Sequence, residues 1–386
     1  MHTTANSDAS AMLEGLTVLD LSQGASGPYA GVLLRQQGAR VIKVEPPSGD
    51  WARHIGRARD GQTAIAIANN VGKESVVVDA RTDAGRKTLR RLAEQADVVI
   101  QNFRPGVAER MGVGYAELAA ARPGLVYVSI SGYGATGPMA DLPALDTTVQ
   151  ALSGLMHSNR DATGQPQKIG LVIVDLATAI YAAQYATAAL FRAARTGQGR
   201  HVQVTMLETA AALQSYILLD DAMFPGKESA VLGAPVGLFK ASDGMLYVSL
   251  VNDAMFERLA RGMGFDDWLA DESLRASAGR MPRAQELNER LGRHLATNTV
   301  AHWSEVLTRS DVLFAPARHS RELRSHPQSL HTGLFASVDQ PGLGELPWPN
   351  LPGLSGLARP IGHAPALGEH TQAVLQEFGI DEKEAT

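Results

Sequence analysis

The stretch LTVLDLSQGASGPYAGVLLRQQGARVIKV, residues 16–44, decides the fold. Its apolar run Leu16 to Leu21 reads as a strand, Gly24 to Gly27 as a tight turn, the residues up to Gln37 as a helix, and Arg40 to Val44 as a second strand. Two strands joined through a helix run parallel, because the crossover carries the chain back to its starting edge. The pattern recurs downstream. Ser75 to Val78 is strand-like, Thr82-Asp83 opens a helix running to Gln95, and Asp97 to Ile100 is the next strand. A helix over Tyr115 to Ala121 and a strand over Leu125 to Ile130 follow. Such alternation predicts an α/β fold with an open parallel sheet and helices across its faces, Rossmann-like in plan. Ligands of these sheets gather beyond the carboxyl ends of the strands, where Gly24, Asn102 and Gly132 fall.

Further along, Gly170 to Val174 reads as a strand and Asp175 as the start of an Ala-rich helix that Thr196-Gly197-Gln198-Gly199 ends. His201 to Met206 then alternates like a strand. A second unit begins near Pro235, with a hairpin made of Gly237 to Phe239, the turn Ser242-Asp243-Gly244 and Met245 to Leu250, and helices up to Thr308. Pro and Gly are dense from His326 to Pro360, and a last helix spans about His370 to Phe378. The expected division is a disordered tail over 1–12, a large Rossmann-like domain over 13–200 and 335–386, linkers over 201–225 and 326–334, and a small α/β domain over 226–325.

The 386 residues are 45% hydrophobic and 19% charged, a globular balance, and contain no uninterrupted apolar run long enough to cross a bilayer. A net charge of -5 offers no basic field for a polyanion, so nucleic acid is not an expected partner, nor is a membrane. Without cysteine the chain has no disulfide, no thiolate nucleophile and no Cys-ligated metal. The eleven histidines form no HExxH pair, and Ser129 and Ser131 lie in no GxSxG elbow. A cytoplasmic location and no metal site are therefore expected.

Three segments can carry chemistry. The turn Gln23-Gly24-Ala25-Ser26-Gly27-Pro28 joins a strand to a helix, so its N–H groups can face an anion, or its glycines can serve the turn alone. Glu45 ends the next strand where a ribose-binding acid would sit, although the GxGxxG spacing of a NAD enzyme is absent. Asn102-Phe103-Arg104-Pro105-Gly106 presents an amide, an aromatic face and a guanidinium, or forms an ordinary turn. Asp175 at a helix start is either a cap or a carboxylate nucleophile kept ionised by the helix dipole; position alone leaves both open.

Read in order, LEGLTVLDLSQGASGP (13–28), ARVIKVEPPSGD (39–50), QNFRPGVAERMG (101–112), VYVSISGYGATGP (126–138), QALSGLM (150–156), VDLATAIYAAQ (174–184), GQGRHVQVTMLE (197–208) and PALGEHT (365–371) resemble the class III CoA-transferase family. That family includes formyl-CoA:oxalate and carnitine CoA-transferases and the related α-methylacyl-CoA racemase. The resemblance spans roughly Leu13 to Gly379. It implies an interlocked homodimer, acyl-CoA and a small carboxylate as substrates, no tightly bound cofactor, and catalysis through mixed-anhydride and aspartyl-CoA thioester intermediates on Asp175. CoA contacts are implied at Gln23, Gly24, Ala25, Ser26, Val78, Arg81, Asn102, Phe103 and Arg110. Leu145 stands where the racemases have a catalytic histidine, which disfavours the alternative activity of an acyl-CoA racemase or isomerase. Ala25, Ser131 and Pro143 differ from the formyl-CoA transferase residues, so oxalate specificity is not carried over. Arg53, His54 or Arg57 would hold a dicarboxylate acceptor, and Leu232-Gly233-Ala234 is the candidate oxyanion loop.

Overall fold

A computed structural model describes residues 11–161, 163–226, 233–354 and 361–381. Residues 1–10 of the expected tail lie outside that set, as does Leu232 of the candidate oxyanion loop. The chain divides into two compact units, Met1–Ser215 with Thr332–Thr386, and Tyr216–His331.

The first unit is built on β1 (Thr17–Asp20), α1 (Ser26–Gln36), β2 (Arg40–Glu45), β3 (Glu74–Val77), α2 (Asp83–Gln95), β4 (Val98–Gln101), β5 (Val126–Ser131), α3 (Asp146–Leu152), α4 (Ile173–Thr196), β6 (Arg200–Thr205) and α5 (Met206–Leu213). All six strands are parallel, in the order β3-β2-β1-β4-β5-β6. Chain direction of travel reverses between β1 and β4, which makes the crevice beyond their carboxyl ends the expected ligand position.

Alternation along each strand supplies both sheet faces. On one face Leu19, Ile42, Val76 and Val99 pack with Leu89 and Leu92 of α2. On the other, Val18, Val41, Val98 and Val128 pack with Leu33 and Leu34 of α1 and with Ala179, Ala182, Ala183 and Ala186 of α4. The small alanines let α4 lie close to the sheet. The cap read at Thr82 is present, its hydroxyl accepting from Gly85 N–H at 2.9 Å. Gly197 ends α4 with φ 67°, a left-handed turn that glycine enters at low cost.

Two expectations need correction. Gly170 to Leu171 is not a strand, and α4 already begins at Ile173. The apolar, β-branched run misled because its hydrogen bonds go to a helix start rather than a sheet. Residues 201–225 are not a linker throughout: β6 is an edge strand of the main sheet, and α5 packs through Met206 and Ala210 against Val149 and Val174. By length and mean hydropathy α4 could cross a bilayer, although Asp175, Gln184 and Arg192 interrupt its apolar run, as the sequence reading has it. Its alanine face lies on the sheet, as in a core helix.

The second unit has a three-stranded antiparallel sheet of β7 (Gly237–Lys240), β8 (Met245–Ser249) and β9 (Leu313–Pro316), with β8 central. Phe239, Leu246 and Val248 pack there with Phe256, Leu259, Leu287, Leu291 and Trp303 of the helices between the strands.

Candidate active site

The turn after β1 is held rigidly from three sides. Asn102, just past β4, accepts Gln23 N–H at 2.8 Å and donates Nδ2–H to Gln23 O at 2.7 Å, as a neighbouring strand would. Asp50 accepts Gly24 N–H at 3.0 Å, and Asn69 donates to Gly24 O at 2.9 Å. Gly24 itself has φ +82°, and a Cβ there would sit 2.3 Å from the indole of Trp51. Gly24→Ala is therefore expected to cost about 1–3 kcal/mol and to displace Trp51. Thermal unfolding together with Trp fluorescence would show both; a variant with wild-type melting and emission would contradict this packing.

Below the turn lies a buried charge network. Lys43 donates to Ser22 O and, at 3.1 Å, to Asp50 Oδ2; Lys73 donates to Asp20 Oδ2 and Pro28 O, both at 2.7 Å. Burial disfavours the charge of Asp20, yet Lys43 and Lys73 hold its carboxyl below the usual range. Burial lowers Lys73 to about 8, Asp20 opposing the shift. A buried charge network of this kind fixes geometry, because moving one member strands another.

Asp175 is the third residue of α4, not its cap, since the N-cap position is Val172. The cap role belongs to Asp146, at the start of α3 and 4% exposed. Its Oδ2 accepts the N–H groups of Val174 at 2.8 Å and Asp175 at 3.0 Å. The Asp175 carboxylate is not used in capping; it is half-buried, and the nearby Ser26 hydroxyl favours its anion. Burial, then the charge of Asp146, push its pKa up to about 7 against the pull of Ser26.

A cavity of about 230 Å³ opens at the β1/β4 reversal, and Gln23, Ala25, Ser26, Asn102, Phe103 and Asp175 all line it. Six of the ten residues named from the sequence thus meet in one place. Gly24 sits in the same turn beneath Trp51. The other three lie elsewhere: Val78 is buried in the core, Arg81 is exposed and paired with Asp79 at 2.8 Å, and Arg110 is exposed. A larger cavity of about 640 Å³ runs along α4 near Tyr181 and Arg192 and contains none of the ten.

Sequence reasoning missed Trp51, which lines the small cavity, and the capping role of Asp146. Arg104 is the one cation lining it among the described residues. Arg53 is not available for a substrate carboxylate, because Glu45 binds it in bidentate fashion at 2.7 and 2.6 Å. His54 and Arg57 are exposed and line no part of this cavity. Gly233 and Ala234 belong to the second unit.

A parallel doubly wound sheet with a carboxylate beside the glycine turn at its switch point is the ligand-binding frame of an α/β enzyme. The chain belongs to CoA-transferase family III, whose model matches residues 13–371, and it is an enzyme of that class. It is 33% identical over 383 residues to acetyl-CoA:oxalate CoA-transferase of Acetobacter aceti, covering 96% of both chains. It is 32% identical over 399 residues to succinate–glutarate CoA-transferase of Agrobacterium fabrum, covering 97% of both. The crystal structure of Rv3272 from Mycobacterium tuberculosis superposes with a TM-score of 0.83 at 30% identity, covering 94% of this chain and 98% of that one.

Proposed function

We propose that the protein moves CoA from an acyl-CoA donor to a small carboxylic acid through covalent intermediates on Asp175. The observation that carries this reading is a carboxylate with a raised pKa in the cavity where the β1 turn and the β4 loop meet. A carboxylate of higher pKa is a stronger nucleophile once ionised. An Asp175 oxygen attacks the thioester carbonyl, the C–S bond breaks, and CoA leaves as thiolate, giving a mixed anhydride. The thiolate attacks the Asp175 carbonyl carbon, the bond from that carbon to the bridging anhydride oxygen breaks, and the donor acid departs as its carboxylate with that oxygen. The acceptor acid then reverses both steps. The net reaction trades one CoA thioester for another, so no nucleotide is consumed. The positive end of α1, at Ser26, favours the anionic species that form beside it.

Racemisation fits this cavity less well. Two-base proton transfer at Cα needs a second base, and among the described lining residues Asp175 is the one candidate base, with Leu145 also in the lining. The relatives' names include acceptors such as oxalate and glutarate, which supports a small, polar acid here. Arg104 is then the group suited to its free carboxylate or to a CoA phosphate.

CoA enters as a substrate, and no tightly held cofactor takes part. Exposed Ile180, Tyr185 and Phe191 on α4 and Tyr216, Leu219 and Met223 beyond it support a homodimer that covers them. The net negative charge supports small-molecule substrates over nucleic acid, and the lack of cysteine fits a cytoplasmic enzyme.

A panel of acyl-CoA donors against carboxylic acids, read by mass spectrometry, tests the activity; exchange with none of the pairs, or deuterium wash-in at Cα without an acceptor, would reject it. The pH dependence is specific. Only the ionised carboxylate attacks, so kcat/KM should hold above about pH 7 and fall tenfold per unit below it. A flat profile down to pH 5 would contradict the raised pKa.

A further inference from the structure

We infer that Asp146 is a positioning residue for Asp175: from the start of α3 its carboxylate clamps the first turn of α4 and holds a fixed negative charge beside the nucleophile, repelling it until it is acylated. This inference rests on the covalent reading above.

Helix α4 begins with N–H groups that have no acceptor within the helix, and its N-cap residue Val172 has no side chain to offer one. Asp146 supplies the acceptor from 28 and 29 residues upstream, taking both Val174 and Asp175 on one oxygen. Its other oxygen accepts from Gln150 Nε2 at 2.5 Å, one turn along α3. Gln150 is fully buried and uses its own Oε1 to accept Ile169 N–H at 2.9 Å. Both oxygens of Asp146 are thus engaged, and the segment from Ile169 to Asp175 is tied to α3 at three N–H groups. The charge cannot swing away from Asp175.

Capping alone would be met by a neutral Asn or Ser. A charge costs more here, since a second carboxylate stands next to it. The cost has a use in the proposed reaction. Asp175 is anionic before attack and neutral as anhydride or thioester, while the negative charge leaves on the thiolate or the donor acid. Repulsion from Asp146 therefore raises the starting carboxylate and not the acylated forms. The other groups facing Asp175 act differently: the Ser26 hydroxyl of α1 stabilises the anion, α5 presents only Met206 to the cavity, and Arg104 lies on the loop after β4.

The test uses the full chain with Asp146→Asn, which keeps an acceptor oxygen for the two N–H groups. Single-turnover formation of the aspartyl-CoA thioester is measured by rapid quench and mass spectrometry, with a pH profile alongside. The rate should fall about tenfold above pH 7, and the acid limb should move down by about one unit. A rate near wild type overturns the inference. So does a slower enzyme whose acid limb has not moved, because a purely structural cap would give that result. If Asp146→Asn does not fold, Asp146→Glu decides: its charge is moved relative to Asp175, so the acid limb should move and thioester formation should slow together, and a wild-type rate, or a slower enzyme with an unmoved limb, would overturn the inference. Absence of any adduct on Asp175 in the wild type would instead sink the covalent reading itself.

Discussion

Asp175→Ala should lose at least about 10³-fold in CoA transfer while still binding CoA, because the proposed reaction forms its covalent bond at this carboxylate and leaves binding to the surrounding pocket. Gln23, Ala25, Ser26, Asn102 and Phe103 remain in place around the cavity, and the N–H groups that start α4 remain capped by Asp146. The fold should therefore survive. Removing a carboxylate that burial and Asp146 both disfavour should leave stability unchanged or higher at neutral pH. Calorimetric titration with CoA and a steady-state assay give the two readings. Turnover above a few per cent of wild type would mean that another group carries the acyl transfer.

Lys73→Met should destabilise the protein by about 3–5 kcal/mol, the cost of stranding a buried charge. Lys73 and Asp20 side chains are both fully buried and 2.7 Å apart, so Asp20 would keep its charge without its nearest partner. The damage should reach the site as well, since Lys73 also donates to Pro28 O inside the turn that opens α1. The double variant Asp20→Asn with Lys73→Met should recover most of the loss, because it removes both charges together. Chemical denaturation of the three variants provides the measurement. Additive losses in the double variant would show that the two groups do not stabilise one another.

The parallel sheet was legible because its strands are buried on both faces and appear as short apolar runs punctuated by Gly and cap residues. Residues 16–44 alone carried the strand, the turn and the crossover helix. The cavity was legible at Gln23, Ser26 and Asn102, which lie beyond strand ends on either side of the β1/β4 reversal. What escaped reading depends on distant partners. Asp20, Lys43 and Lys73 look like surface charges in sequence, and only the fold stacks them under one turn. Asp146 looks like an ordinary helix start, and its acceptors' partners lie 28 residues on. Val78, Arg81 and Arg110 were carried over from the family resemblance, and local geometry here places none of them at the Asp175 cavity.

The central claim is that Asp175 becomes covalently acylated. Incubating the protein with an acyl-CoA and no acceptor, then adding borohydride or hydroxylamine, converts an aspartyl thioester to homoserine or a hydroxamate at that residue. Peptide mass spectrometry should find the modification on Asp175 and only when acyl-CoA was present. CoA exchange that proceeds normally while Asp175 stays unmodified would contradict the account.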